Sequence, residues 1–127
     1  MIEQMQNKKI LMIEDEDVFI DIFGGKLQQD GFEMTFAKNG AWGLKEMESG
    51  DYDLVIVDMA MPAMGGEEIV TKMKLEEKTR NLPVVVLSAS VDEETRRKIE
   101  SLGISGFFLK TRITPGELSQ EITKILG

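Results

Sequence analysis

The chain has 127 residues, with 15 basic and 23 acidic side chains and a formal charge of −8, a length that suits one domain with an apolar core of its own. Neither cysteine nor histidine occurs, which excludes disulfides, thiolate nucleophiles, sulfur-bound zinc and any imidazole base or phosphate carrier within the chain. The acidic balance also argues against a nucleic-acid backbone as a direct partner.

Short β-rich runs at residues 9–13, 33–37, 54–57, 84–87 and 106–109 alternate with stretches of helical spacing, predicting five strands and five helices. The first helix carries Phe19, Ile22, Phe23 and Leu27 on its buried stripe and ends near Gly31. Gly24 and Gly25 inside it each cost about 1 kcal/mol relative to alanine, with no compensation visible in the sequence. The second helix runs from about Ala41 to Ser49 and stops at Gly50. The third turns Ile69, Val70 and Met73 inward and dissolves into the charged run 76–80 before Pro83. The fourth spans about 93–102 with Ile99 and Leu102 inward, and stops at Gly103. The fifth opens at Thr114 and Pro115, a good cap and first-turn pair, and buries Leu118, Ile122, Ile125 and Leu126. Runs 54–57 and 84–87 are apolar at every residue, as strands covered on both faces must be, so the class is α/β with a parallel sheet. No apolar run approaches the ~20 residues of a membrane span, and the first nine residues lack the apolar stretch of a signal peptide. The expectation is a cytoplasmic protein with no membrane partner.

In such sheets function is sought at the carboxyl ends of the strands. Strand one runs straight into Glu14, Asp15, Glu16 and Asp17, and strand three into Asp58. Two carboxylates about 4 Å apart repel by ~4 kcal/mol at an effective dielectric near 20. A single acid in such a place ordinarily meets the positive end of the next helix. Three together, Glu14, Asp15 and Asp58, call instead for a cation. Oxygen-only ligands favour magnesium, or manganese, over zinc or copper. Strand four ends at Ser88 and strand five at Lys110, adding a hydroxyl and an ammonium to the same edge.

The run Ile10-Leu11-Met12-Ile13-Glu14-Asp15-Glu16, the run from Leu54 through Asp58 to Gly66, then Leu87-Ser88-Ala89 and Phe107-Phe108-Leu109-Lys110, resembles the response-regulator receiver family of two-component signalling. The resemblance spans nearly the whole chain, with residues 8–126 as the folded core of a single receiver domain over 1–127. It implies a flavodoxin-like, doubly wound sheet in the order 2-1-3-4-5. By the same resemblance, Asp58 is the phosphoacceptor, taking a phosphoryl group from a phosphohistidine on a sensor histidine kinase or histidine phosphotransfer protein. Glu14, Asp15, Asp58 and the backbone carbonyl of Ala60 are the implied magnesium site, with Glu14 acting mainly through water. Lys110 pairs with Asp58 before reaction and with a phosphoryl oxygen after it. Ser88 bonds another phosphoryl oxygen, and Phe107 is the aromatic switch whose ring turns inward as Ser88 moves. Val18 and Ile20 flank the buried stripe of the first helix, where the family docks its phosphodonor. The small Ala60 and Ser90 flank the path of attacking water. The implied role is that of a signalling domain acting on a downstream effector, not a turnover enzyme.

One departure stands out: Thr111 follows Lys110 where the family usually has proline, often after a cis bond. A cis bond costs ~2.5 to 4 kcal/mol without proline and only ~0.5 to 1 with it, which leaves the peptide geometry, and with it the placement of Lys110, open at this point. Other classes fit less well. A dehalogenase-type phosphatase needs a second acid two residues after its nucleophile, where Ala60 stands. A flavodoxin needs a hydroxyl- and glycine-rich phosphate loop where the acids 14–17 would repel phosphate. A degenerate receiver acting only as a protein-binding module is the remaining alternative, and the retention of Asp15, Asp58, Ser88 and Lys110 argues against it.

Overall fold

Five strands, β1 (Lys9–Ile13), β2 (Glu33–Ala37), β3 (Leu54–Asp58), β4 (Val84–Ser88) and β5 (Gly106–Leu109), alternate with five helices. The helices are α1 (residues 17–29), α2 (Gly40–Ser49), α3 (Gly66–Leu75), α4 (Glu93–Glu100) and α5 (Pro115–Leu126). The computed structural model describes residues 7–90 and 92–127. All strand pairings are parallel and the order is 2-1-3-4-5, the flavodoxin-like arrangement expected from the sequence. Among the described residues no helix is long and apolar enough to cross a membrane.

Successive strand side chains point to opposite faces, so the apolar runs feed two cores. Leu11, Ile13, Val55, Val57, Val84 and Val86 pack against Met47 of α2, Ile69, Val70 and Met73 of α3 and Ile99 of α4. Ile10, Met12, Leu54, Ile56, Val85 and Leu87 pack against Phe23 and Leu27 of α1 and Leu118 and Ile122 of α5. Strands β3 and β4 are buried at every position, including the polar residues Asp58 and Ser88 that end them.

Helix α1 departs from the expected stripe. It opens with Asp17–Phe19, becomes π-helical over Ile20–Gly24 and returns to α-helix over Gly25–Gln29. A π-segment bonds i to i+5 and breaks the 3.6-residue spacing. Phe23 and Leu27 stay buried, but Ile22 rotates out and is 45% exposed, while Phe19 is only half-buried. The same region accounts for one of the two glycines. A Cβ at Gly24 would lie 2.5 Å from the Phe36 ring, whereas nothing lies within 4 Å of one at Gly25. Glycine at 24 therefore lets α1 close on β2, and the structure gives no reason for glycine at 25.

The helix ends follow their capping residues. Gly31 takes a φ of 100°, and the backbone N–H groups of Gly31 and Phe32 donate to the carbonyls of Gln28 and Leu27. Asn39 and Asp92 accept from the backbone N–H groups of Trp42 and Thr95 to cap α2 and α4. Helix α4 stops at Glu100, earlier than expected, with Leu102 half-buried against the core beyond it. Thr114 and Glu117 close a reciprocal capping box around Pro115.

Candidate functional site at the carboxyl edge of the sheet

The strand order reverses between β1 and β3, so the loops leaving these two strands part and open a crevice. Ile13 lies beside Val57 in register, which brings Glu14 and Asp58, the next residue on each, to the same edge. The carboxylate oxygens of Glu14, Asp15 and Asp58 lie within 4.8 Å of one another. Glu14 and Asp58 are buried and Asp15 is half-buried. Glu16 and Asp17 do not join them. Both are exposed at the start of α1, where acids meet the helix dipole, and Asp17 pairs with Lys38 at 2.6 Å.

From the far side of β3, the Lys110 backbone N–H donates to the Ser88 carbonyl at 2.8 Å as the chain leaves β5. The lysine sends its ammonium among the acids, 2.7 Å from Glu14 Oε1 and 3.1 Å from Asp58 Oδ1, with its side chain 3% exposed. The Phe19 ring covers a further side, its centroid 4.0 Å from Nζ. Burial opposes the charge on Lys110, but its contacts with Glu14 and Asp58 outweigh burial and raise its pKa above the ordinary lysine range. Burial pushes the Glu14 carboxyl up to about 7, against the hydrogen bond from Lys110 and helped by the charge on Asp58. No cis peptide occurs among the described residues, so the Lys110–Thr111 bond is trans.

Ser88 is buried at the end of β4, and its hydroxyl donates to the Ser90 carbonyl at 2.7 Å, turned into its own loop. Ala60 and Ser90 are exposed. Phe107 packs in the core on the α4 side, with the Arg96 guanidinium 5.0 Å above its ring. On α1, Val18 is 55% exposed and Ile20 half-buried, and Ile22 is also turned outward. The structure thus gathers Glu14, Asp15, Asp58 and Lys110 into one constellation with Ser88 on the adjoining strand end. Two features went unread in the sequence, the Glu14–Lys110 pair and the Phe19 ring over the ammonium. The available signal was position: Phe19 stands four residues after Asp15, one turn beyond the acidic loop, where an aromatic reaches the crevice as easily as the core.

These groups suit a hard divalent cation. Every donor is oxygen, Asp15 Oδ1 is buried without a hydrogen-bond partner, and three carboxylates against one ammonium leave an excess of negative charge when all are ionised.

A family model for the response regulator receiver domain matches residues 10–123, and the chain belongs to that family. It is a receiver domain of the two-component type. It is 29% identical over 121 residues to chemotaxis protein CheY-3 of Vibrio cholerae, covering 94% of this chain and 92% of that protein. It is 32% identical over 124 residues to the sensor histidine kinase TmoS of Ectopseudomonas mendocina, covering 98% of this chain and 12% of that protein. The structure of the response regulator TrrA of Thermotoga maritima in complex with Mg2+-BeF matches with a TM-score of 0.79 at 29% identity, covering 94% of this chain and 99% of that one.

Proposed function

We propose that this receiver takes a phosphoryl group onto Asp58 from a phosphohistidine of a sensor histidine kinase or histidine phosphotransfer protein, and so changes the surface it offers to a downstream effector. The observation that carries this reading is Asp58 itself, a buried carboxylate within 4.8 Å of two further acids and 3.1 Å from an ammonium. An Asp58 oxygen attacks phosphorus, the P–N bond to the partner's imidazole breaks, and the imidazole nitrogen keeps the bonding pair, leaving an acyl phosphate on Asp58. A donor imidazole from another molecule accords with a chain that has no histidine. Lys110 offsets the charge of the nucleophile beforehand and pairs with a phosphoryl oxygen afterwards. For Ser88 to bond a phosphoryl oxygen, its hydroxyl must leave the Ser90 carbonyl, which draws the loop after β4 toward the site. Phe107, buried here beneath Arg96, is the aromatic switch, its inward ring coupled to the movement of Ser88.

Glu14, Asp15, Asp58 and the Ala60 carbonyl would hold Mg2+, or Mn2+, in keeping with the Mg2+-BeF complex of the Thermotoga relative. The ion when bound supplies positive charge that offsets repulsion between an anionic nucleophile and an incoming phosphoryl group. The domain works once per transfer rather than as a turnover enzyme, in a cytoplasmic setting. Incubation with acetyl phosphate tests this: intact mass spectrometry should find one phosphoryl adduct with Mg2+, and none with chelator or in Asp58→Ala. An undiminished adduct in Asp58→Ala overturns the assignment.

A further inference from the structure

The Lys110 ammonium hangs on a flexible four-carbon stem at the end of β5, and the turn that follows, Thr111 and Arg112, is exposed. The backbone is held by the bond from the Lys110 N–H to the Ser88 carbonyl at 2.8 Å, and along the rotatable stem beyond it the place of the charge is set by its neighbours. The ammonium lies 2.7 Å from Glu14 and 3.1 Å from Asp58, and a lysine drawn wholly to Glu14 would leave the nucleophile without its counter-charge. The Phe19 ring stands on another side of the ammonium, with 4.0 Å from Nζ to its centroid. That ring has a firm support. It stacks on the buried Phe23, with centroids 6.3 Å apart and planes 22° from parallel. The π-helical segment begins at the next residue, Ile20, and Gly24 at its end lets the helix close on Phe36. An aromatic face attracts a desolvated ammonium through its quadrupole, and an aliphatic side chain of similar bulk does not.

We propose that Phe19 is a positioning residue for phosphoryl transfer, its ring face holding the Lys110 ammonium between Glu14 and Asp58 so that it stays on the nucleophile. The inference rests on the proposed transfer to Asp58 and adds a residue to it. Phe19 acts through Lys110.

Two variants separate the ring face from mere bulk: Phe19→Leu removes it, and Phe19→Tyr keeps it. In the metal-free protein, the Lys110 ε-methylene proton resonances should show an upfield ring-current shift that Phe19→Leu abolishes and Phe19→Tyr retains. With acetyl phosphate and Mg2+, Phe19→Leu should slow adduct formation about five-fold, and Phe19→Tyr should restore most of the rate. An unshifted Lys110 resonance in the parent protein overturns the contact. A Phe19→Leu rate equal to the parent's, or a Phe19→Tyr as slow as Phe19→Leu, overturns the positioning role. A parent protein that takes no phosphoryl group overturns the proposed transfer instead, and the resonance shift still decides whether the ring holds the lysine.

Discussion

Replacing Asp15 by asparagine should make the metal-free fold more stable while weakening its response to magnesium. The Asp15 carboxylate lies within 4.8 Å of those of Glu14 and Asp58. Lys110 pairs with those two acids and not with Asp15. Two unit charges at about that separation repel by about 3 kcal/mol at an effective dielectric of 20, and solvent screening at a half-buried group reduces the effect to about 1–2 kcal/mol. Asparagine keeps the shape, removes the charge and supplies an amide N–H to a site crowded with acceptors. For a domain of this size the gain corresponds to a Tm higher by about 3–10 °C. Thermal unfolding followed by circular dichroism, in chelator and in excess Mg2+, measures both halves. The parent should gain stability with Mg2+, because a ligand that binds only the folded state stabilises it, and Asp15→Asn should gain much less. A variant that unfolds at a lower temperature than the parent in chelator refutes the repulsion argument. An undiminished gain with Mg2+ refutes the place of Asp15 in the ion site.

The two glycines of α1 should respond in opposite directions. Gly24→Ala, whose Cβ would meet the Phe36 ring at 2.5 Å, should lose about 1–3 kcal/mol in urea unfolding, and Gly25→Ala, with open space around its Cβ, should gain up to about 1 kcal/mol. The carboxylate of Asp30, at the end of α1, should shape the acid limb of stability. Burial opposes its ionisation, but the Ser119 hydroxyl at 2.5 Å and the Lys26 ammonium at 3.0 Å outweigh burial and hold its pKa below the ordinary range. Its contribution is therefore complete above the unfolded carboxylate pKa, roughly 4, and is lost as pH falls through the lower folded value. Ser119→Ala should flatten that decline, as read from urea midpoints between about pH 5 and pH 2.

The sheet was legible because burial on both faces leaves its mark on every residue of β3 and β4, and because glycine, threonine and proline mark helix ends through backbone geometry that does not depend on distant contacts. Helix α1 was legible only in part. Its two inward residues, Phe23 and Leu27, follow the ordinary spacing, but a π-segment shifts the phase between them and the first turn, so Ile22 came out exposed. The requirement for Gly24 comes from Phe36, a residue on a strand that the linear pattern does not connect to α1. At the site, strand ends identified Glu14, Asp15, Asp58, Ser88 and Lys110 one by one. Their partners were another matter: that Lys110 sits closer to Glu14 than to Asp58 depends on how a flexible stem settles among charges contributed by three strand ends.

That settlement bears on why the site is built from residues that work against the fold. Burial, helped by the neighbouring charge of Asp58, raises the pKa of Glu14 to about 7, so the folded protein holds a carboxylate where burial disfavours its charge. A single buried ammonium eases this without cancelling it, since one cation faces three acids. On the proposed function, an excess of negative charge is what would draw a divalent ion to the crevice, and it would vanish if the acids were fully neutralised within the chain. Lys110 is instead shared, paired with Glu14 and with Asp58 at once. A shared lysine, placed between Glu14 and Asp58 under an aromatic face, would on the proposed function keep a counter-charge on Asp58 while leaving the acids short of the positive charge that an ion would bring.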